Sequence, residues 1–422
     1  MGWNSWDCFG VNVTEEEVRQ NAAFMARHLK PFGWEYVVVD LAWYAPEATK
    51  DNYKQPNIPM HIDAYGRLIP DPRRFPSSAG GMGFQPLADY IHGLGLKFGI
   101  HIMRGIPWKA VEENCSILGS NQRAQEIAFD ADRCPWYNSM YAVDVTQSGG
   151  QAYYRSLAQL YASWEVDFVK ADDMGSWAYQ EDASPYRVDE VEALSRALAQ
   201  SGRDMVLSLS PGSALLGNAA HLQRFAHLWR ISADFWDDWE ALKRQFPRCA
   251  AWASRTIPGH WPDADMLPLG KIGIRGEIGE PRQTHFTEDE QYTLMTLWCM
   301  ARSPLMFGGH LPESDTFALG LITNPEVLAV NQESKHNREI YRDEHACVWL
   351  AYPGRGKSRY VALFNLSEVT RQIQVPLPVL GDAQVWQVRN LWKREDMGLF
   401  SGPISQSIPA HGAVLFSLTP AL

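Results

Sequence analysis

Short apolar runs that end in charge recur along this chain, and they limit its possible folds more than any other feature. The fullest case is Val166-Asp-Phe-Val-Lys-Ala-Asp-Asp-Met-Gly-Ser-Trp177, where Val166, Phe168 and Val169 read as a buried strand and Lys170, Asp172 and Asp173 follow. Charge at the end of a buried strand is costly unless it is paired or used. The plain alternative is a loop-facing acid with a lysine partner. The same texture returns in Tyr36-Val-Val-Val-Asp40, in Leu96–Ile102 with His101 near its end, in Met205–Ser210 and in Leu228–Ile231. Gly2–Trp6, a short strand ahead of the loop Ile257–Met266, and Pro304–Phe307 bring the expected strands to eight.

Helical patterns separate these runs. Thr14 and Glu17 form a capping box for a helix that runs to about Leu29, where Pro31-Phe-Gly33 stops it. Further helices are expected at Leu87–Leu94, Gly150–Trp164, Val188–Gln200, Ala219–Ala226, Trp239–Cys249 and Glu288–Ala301. Repeated strand-helix units with buried strands imply a parallel sheet. Eight of them, with polar residues gathered after the strands, favour a closed (β/α)8 TIM barrel over an open doubly wound sheet. No glycine-rich phosphate loop follows any strand, which weakens a nucleotide-cofactor reading. The loops 45–74 and 106–141 are long, and long loops in a compact domain are usually functional.

After Asn331 the texture changes to short alternating runs: Cys347–Tyr352, Tyr360–Asn365, Arg371–Val375, Gln384–Val388 and Ala413–Ser417, with turns such as Pro353-Gly354 and Leu380-Gly-Asp382. This predicts a C-terminal antiparallel β-sandwich. The expected domains are a barrel over residues 1–331 and a support domain over 332–422.

Composition narrows the function. A net charge of -11 with no basic run argues against nucleic acid and anionic membranes as partners. No apolar run reaches the roughly 18 residues of a membrane span, and no signal sequence is visible, so the expected location is the cytoplasm. Cys8, Cys115, Cys134, Cys249, Cys299 and Cys347 are scattered without metal-ligand spacing and read as buried thiols.

The polar residues collected at strand ends are Asp40, His101, Lys170, Asp172, Asp173, Ser210, Arg230, Asp234, Asp237, Asp238, His260, Asp263 and Asp265. Paired carboxylates without a metal motif suit glycoside hydrolysis, in which one acid attacks and the other, protonated, donates to the leaving oxygen. Lys170 lies two positions before Asp172 and on the same strand face, where it would help keep that acid ionised. Asp234 stands among Phe235, Trp236 and Trp239, an apolar setting that would raise its pKa. Asp173 points the other way and reads as a loop cap or ion-pair partner. Asp237 and Asp238 read as a helix cap. His101 is either a satisfied core histidine or a site residue. His260, Asp263 and Asp265 lack the spacing of a metal motif, so no metal and no cofactor is assigned.

At this point the chain resembles glycoside hydrolase family 27, the α-galactosidase and α-N-acetylgalactosaminidase family. The pieces that carry the resemblance run in order: Met1–Trp6, Gly33–Tyr36, Gly66–Leu68 with Arg74–Pro76, Gly95–Ile100, Val166–Asp172, Trp229-Arg230 with Asp234, Gly259–Leu267, Ala301–Met306 and Val330–Gln332. The resemblance implies a (β/α)8 barrel followed by an antiparallel β-domain, acting on a carbohydrate substrate by retention through a covalent glycosyl-aspartate. Asp172 fills the nucleophile position and Asp234 the acid/base position. Trp6, Asp40, Lys170, Arg230 and Asp265 fill sugar-binding positions. The two carboxylates would then stand about 5–5.5 Å apart.

Departures from the family pattern bear on the sugar. Leu41 replaces the second of two consecutive acids that hold the galactose 4- and 6-hydroxyls. Leucine cannot accept a hydrogen bond, at a cost of about 1–3 kcal/mol for a buried hydroxyl. That suits β-L-arabinopyranose, the same ring without the hydroxymethyl group. Small residues at Ser210 and Ser213 replace a glutamate and resemble the N-acetylgalactosaminidase branch. His101 stands where tyrosine is common, Ala171 replaces an aromatic, and Met174 stands near the place of a family cysteine. The expected activity is therefore an α-galactosidase-like exo-glycosidase, with β-L-arabinopyranosidase or α-N-acetylgalactosaminidase as alternatives. A catalytically idle sugar-binding protein and a metal-dependent hydrolase on the same barrel are the alternatives of other classes.

Overall fold

The computed structural model describes residues 1–176, 185–375 and 385–421. Trp177, the turn at 380–382 and Gln384 lie outside the described residues. The fold is a TIM barrel followed by an antiparallel β-sandwich. Its strands in chain order are β1 (Gly2–Asn4), β2 (Tyr36–Val39), β3 (Lys97–Met103), β4 (Phe168–Asp172), β5 (Val206–Leu209), β6 (Leu228–Arg230), β7 (Trp261–Asp263) and β8 (Met306–Phe307). The Ile257–Met266 stretch is thus not simply a loop after a strand, because β7 lies inside it.

The chain divides into two compact units. The first comprises 1–234, 270–283 and 306–313, and the second 235–269, 284–305 and 314–422. In the first unit β8, β1, β2, β3, β4, β5 and β6 pair in that order, each pair parallel. The register sets Lys170 beside His101 and Asp172 beside Met103. Both neighbours of Lys170 and Asp172 are therefore fixed by backbone pairing before any side chain is considered.

Helices follow the strands as their caps dictate. Helix α1 (Glu15–His28) starts at Thr14, with both halves of the capping box formed. The sequence places α2 (Gln85–Gly93), α3 (Ser148–Ser163), α4 (Val188–Ala199) and α5 (Ala219–Phe225) within two residues at each end. In the second unit α6 (Trp239–Trp252) is capped by Asp238, and α7 (Glu288–Ala301) by Thr287 with Glu290. Pro247 sits within α6, which runs three residues past the expected end at Cys249.

The sandwich in the second unit has a six-stranded sheet and a two-stranded one. Strands Lys335–Arg342, Glu395–Phe400 and Ser405–Ile408 were not expected from pattern. They carry few buried side chains, so the hydrophobic alternation that marks a strand is faint in them. The core between the sheets is apolar, with Val348, Leu350, Val361, Leu363, Ile373, Trp386 and Phe416 among its members.

Candidate active site

Asp172 is the last residue of β4, and both of its carboxylate oxygens are engaged. Oδ1 accepts the main-chain N–H of Asp173 at 2.8 Å. Oδ2 lies 3.1 Å from His101 Nε2. A carboxylate only accepts, so the ring donates from Nε2 in this contact. Burial works against the charge on Asp172, while the His101 hydrogen bond, the His101 ring and Lys170 outweigh it and hold the carboxyl below its ordinary range. His101 is 1% exposed, yet it is not a bystander of the core, since its ring meets Asp172.

Asp40 follows β2, and both of its carboxylate oxygens are bonded. Its Oδ2 accepts Lys170 Nζ at 2.8 Å and Asn4 Nδ2 at 2.7 Å, and its Oδ1 accepts the Leu41 N–H at 2.8 Å. Burial opposes the charge, and Lys170, then His101, overcome it, so the Asp40 carboxyl is pushed far below the usual range. Lys170 therefore serves Asp40 by direct contact and Asp172 through space. Asn4 was not anticipated. Its signal was present, because it ends β1 one position before the polar Ser5, whose Oγ accepts the Asp40 N–H at 2.9 Å.

Asp234 departs from expectation. The apolar setting inferred from its neighbours is not found: its side chain is 56% exposed and its Oδ1 accepts Arg230 Nη2 at 3.2 Å. Phe235 turns away and packs with Phe286 and Trp298, and Trp239 stacks on His411.

Leu41 is buried directly after Asp40. Ser210 and Ser213 are buried, and neither Oγ has a hydrogen-bond partner among the described residues. Trp6 is buried with its ring edge-on to Tyr53 at 6.0 Å. Tyr53 comes from the long loop 45–74 and was missed as an individual residue, although the loop itself was marked. Its hydroxyl donates to Glu277 at 2.6 Å. Burial first, then Glu277, and in smaller measure Asp234 and Asp172, push its pKa up. Asp265 belongs to the second unit, where its Oδ2 accepts the Phe235 N–H at 2.7 Å and its main-chain oxygen accepts Trp298 Nε1 at 2.8 Å.

Asp173 and Asp238 follow their plainer readings. Asp173 pairs with Arg104, and Asp238 caps α6 through the Ala241 N–H. All six cysteines are free and buried. Among the described residues no group of His, Cys, Asp and Glu side chains is disposed to hold a metal ion, and no helix is long and apolar enough to cross a membrane.

Known proteins share this fold. Residues 1–110 and 137–333 match the family described as alpha galactosidase A, and residues 343–418 match the alpha galactosidase C-terminal beta sandwich domain. The chain belongs to glycoside hydrolase family 27. It is a glycoside hydrolase. An alpha-galactosidase of Coffea arabica is 28% identical over 427 residues, covering 100% of this chain and 93% of that protein. Alpha-galactosidase 2 of Arabidopsis thaliana is 25% identical, covering 99% of this chain and 89% of that protein. Among solved structures, a family 27 β-L-arabinopyranosidase from Geobacillus stearothermophilus is 50% identical with a TM-score of 0.96, covering 100% of this chain and 96% of that one. A variant of that enzyme has been solved in complex with arabinose.

Proposed function

We propose that this family 27 enzyme is a retaining β-L-arabinopyranosidase, with α-D-galactosides as weaker substrates. The observation that carries the choice of sugar is Leu41, buried beside the sugar-binding candidate Asp40, where the family pattern has a second acid. A galactose hydroxymethyl group would meet a side chain that cannot bond to its hydroxyl. An arabinopyranose ring leaves nothing unpaired there. The 50% identity to a β-L-arabinopyranosidase supports the same sugar. The many alpha-galactosidase relatives favour the second reading, an α-galactosidase.

In this reading Asp172 attacks the anomeric carbon. The bond to the leaving oxygen breaks as Asp234 gives that oxygen a proton. Water then attacks the glycosyl-aspartate, loses a proton to Asp234, and releases the carboxylate of Asp172. The depressed pKa of Asp172 keeps it ionised for the first step. Arg230 is buried but the Asp234 carboxylate is 56% exposed, so water screens that end of the pair and can take over its hydrogen bond as the leaving group arrives. Asp40, held by Lys170 and Asn4, binds sugar hydroxyls, and Trp6, Arg230, His101 and Ser210 complete the proposed contacts of the first unit.

Hydrolysis of nitrophenyl β-L-arabinopyranoside, α-D-galactoside and α-N-acetylgalactosaminide side by side tests the assignment. The expected order is arabinopyranoside first, galactoside about 10- to 200-fold lower in kcat/KM, and no acetamido sugar. Preference for the galactoside would return the enzyme to the second reading. Preference for the acetamido sugar would point instead to Ser210 and Ser213.

A further inference from the structure

Behind Asp172 lies a buried group of charges that the proposed chemistry does not use. Arg104 follows β3 and is 1% exposed, and Asp173 is 0% exposed. Arg104 Nε donates to Asp173 Oδ2 at 2.8 Å, Nη1 to Glu190 Oε1 at 2.6 Å, and Nη2 to the main-chain oxygen of Asp132 at 2.9 Å. The other oxygen of Glu190 accepts the Tyr154 hydroxyl at 2.6 Å, and Asp132 accepts Arg187 Nη1 at 2.6 Å. Burial works to lower the Arg104 pKa, and Glu190 and Asp173 more than offset it, so the guanidinium stays charged. Asp132 falls between the two stretches that match the family, so the network draws on a segment outside that match.

Two contacts and one backbone conformation connect this group to Asp172. The Arg104 main-chain N–H donates to the Asp172 main-chain oxygen at 2.9 Å. Asp173 adopts a left-handed backbone with φ of 58°. In that conformation its N–H donates to Asp172 Oδ1 at 2.8 Å. A left-handed backbone is unfavourable for most side chains and tolerated by glycine, asparagine and aspartate. Something must hold it where it aims a catalytic group, and the Arg104 guanidinium grips the side chain of this same residue.

We propose that the Arg104–Asp173 ion pair is a positioning device for Asp172. One arginine clamps the main chain of Asp172 and the side chain of Asp173 together. The clamp keeps Asp173 left-handed and its N–H on Oδ1, which leaves the carboxylate with one fixed orientation toward the sugar. The proposal rests on the reading of Asp172 as nucleophile. Arg104 and Asp173 are positioning residues and touch no substrate in this account.

Three substitutions at one position separate aim from mere stability. Asp173→Asn keeps an acceptor for Arg104 and tolerates the left-handed backbone. Asp173→Gly loses the grip and keeps the backbone. Asp173→Ala loses both. Steady-state kinetics on nitrophenyl β-L-arabinopyranoside and α-D-galactoside, normalised to the folded fraction, should rank kcat as Asn above Gly above Ala. Alanine should fall about tenfold or more below glycine, with KM within about twofold of wild type throughout. Equal kcat for glycine and alanine, or a loss confined to KM, would overturn the clamp. If the alanine variant does not fold, Arg104→Lys decides: it keeps the charge and lacks the Nε–H, so kcat should drop with KM unchanged, and wild-type kcat in a folded Arg104→Lys would overturn the proposal. Asp172→Asn is the control. Turnover surviving in that control means the nucleophile reading has failed, whereas a dead control with equal glycine and alanine variants sinks the clamp alone.

Discussion

The strand ends of the first unit and the core of the sandwich are both buried, and they are built from opposite materials. The sandwich core packs Val348, Leu350, Val361, Leu363, Ile373 and Phe416 with no charge among them. The strand ends bury Asp40, Arg104, Asp173 and Arg230, each at 3% exposure or less. Apolar burial stabilises by area and tolerates modest change. Buried charge contributes little net stability and leaves a large penalty when one partner is removed. Charges buried in this way constrain orientation, whereas the apolar core of the sandwich contributes stability through buried area.

The sharpest break in this comparison is Asp172→Asn. It should lower kcat about 10⁴-fold while thermal unfolding stays near wild type. Leu363→Ala in the sandwich should do the reverse, costing about 3 kcal/mol in chemical denaturation with the kcat/KM of the folded protein unchanged. If that variant lost activity in the folded state, the division between the two regions would fail.

Lys170→Met should cost a similar amount, about 3 kcal/mol, and should also change how stability depends on pH. In the wild type the Asp40 carboxyl lies below its unfolded value. Its stabilisation is present above about pH 4 and is lost as the pH falls toward the folded value. Without Lys170 the depression of the Asp40 carboxyl weakens, so less stability should be lost on the acid side as the pH falls below about 4. Melting temperatures across pH 3–8 would show the shallower acid limb, and identical profiles would remove the role given to Lys170.

Smaller effects sharpen the picture. Leu41→Asp should raise kcat/KM on the galactoside about tenfold relative to the arabinopyranoside, and an unchanged ratio would remove the argument from the missing hydroxymethyl contact. Thr14→Ala, at a cap remote from the acids in sequence, should cost about 1 kcal/mol in denaturation without kinetic effect.

Much of this was legible from residues. Apolar runs ending in acids gave β2 and β4, and Thr14 with Glu17 gave the start of α1, because local pattern and capping chemistry act over a few residues. β7 was displaced because a three-residue strand with a proline inside it, Trp261–Asp263, carries no alternation. The setting of Asp234 was misjudged because adjacency in sequence says nothing of direction: its carboxylate is 56% exposed, while the Phe235 ring packs on Phe286 and Trp298. Arg104 was passed over although it stands, like the acids that were noticed, at the end of an apolar strand. Its partners Asp173, Glu190 and Asp132 lie far from it in sequence, and only the fold gathers them.

The most direct test of the central claim is to trap the intermediate. The enzyme is incubated with a slow fluorinated glycosyl fluoride of its preferred sugar, digested, and sequenced by mass spectrometry. The account predicts one glycosyl adduct, on Asp172 and not on Asp173. An adduct on another residue, or turnover with inversion and no adduct, would contradict it.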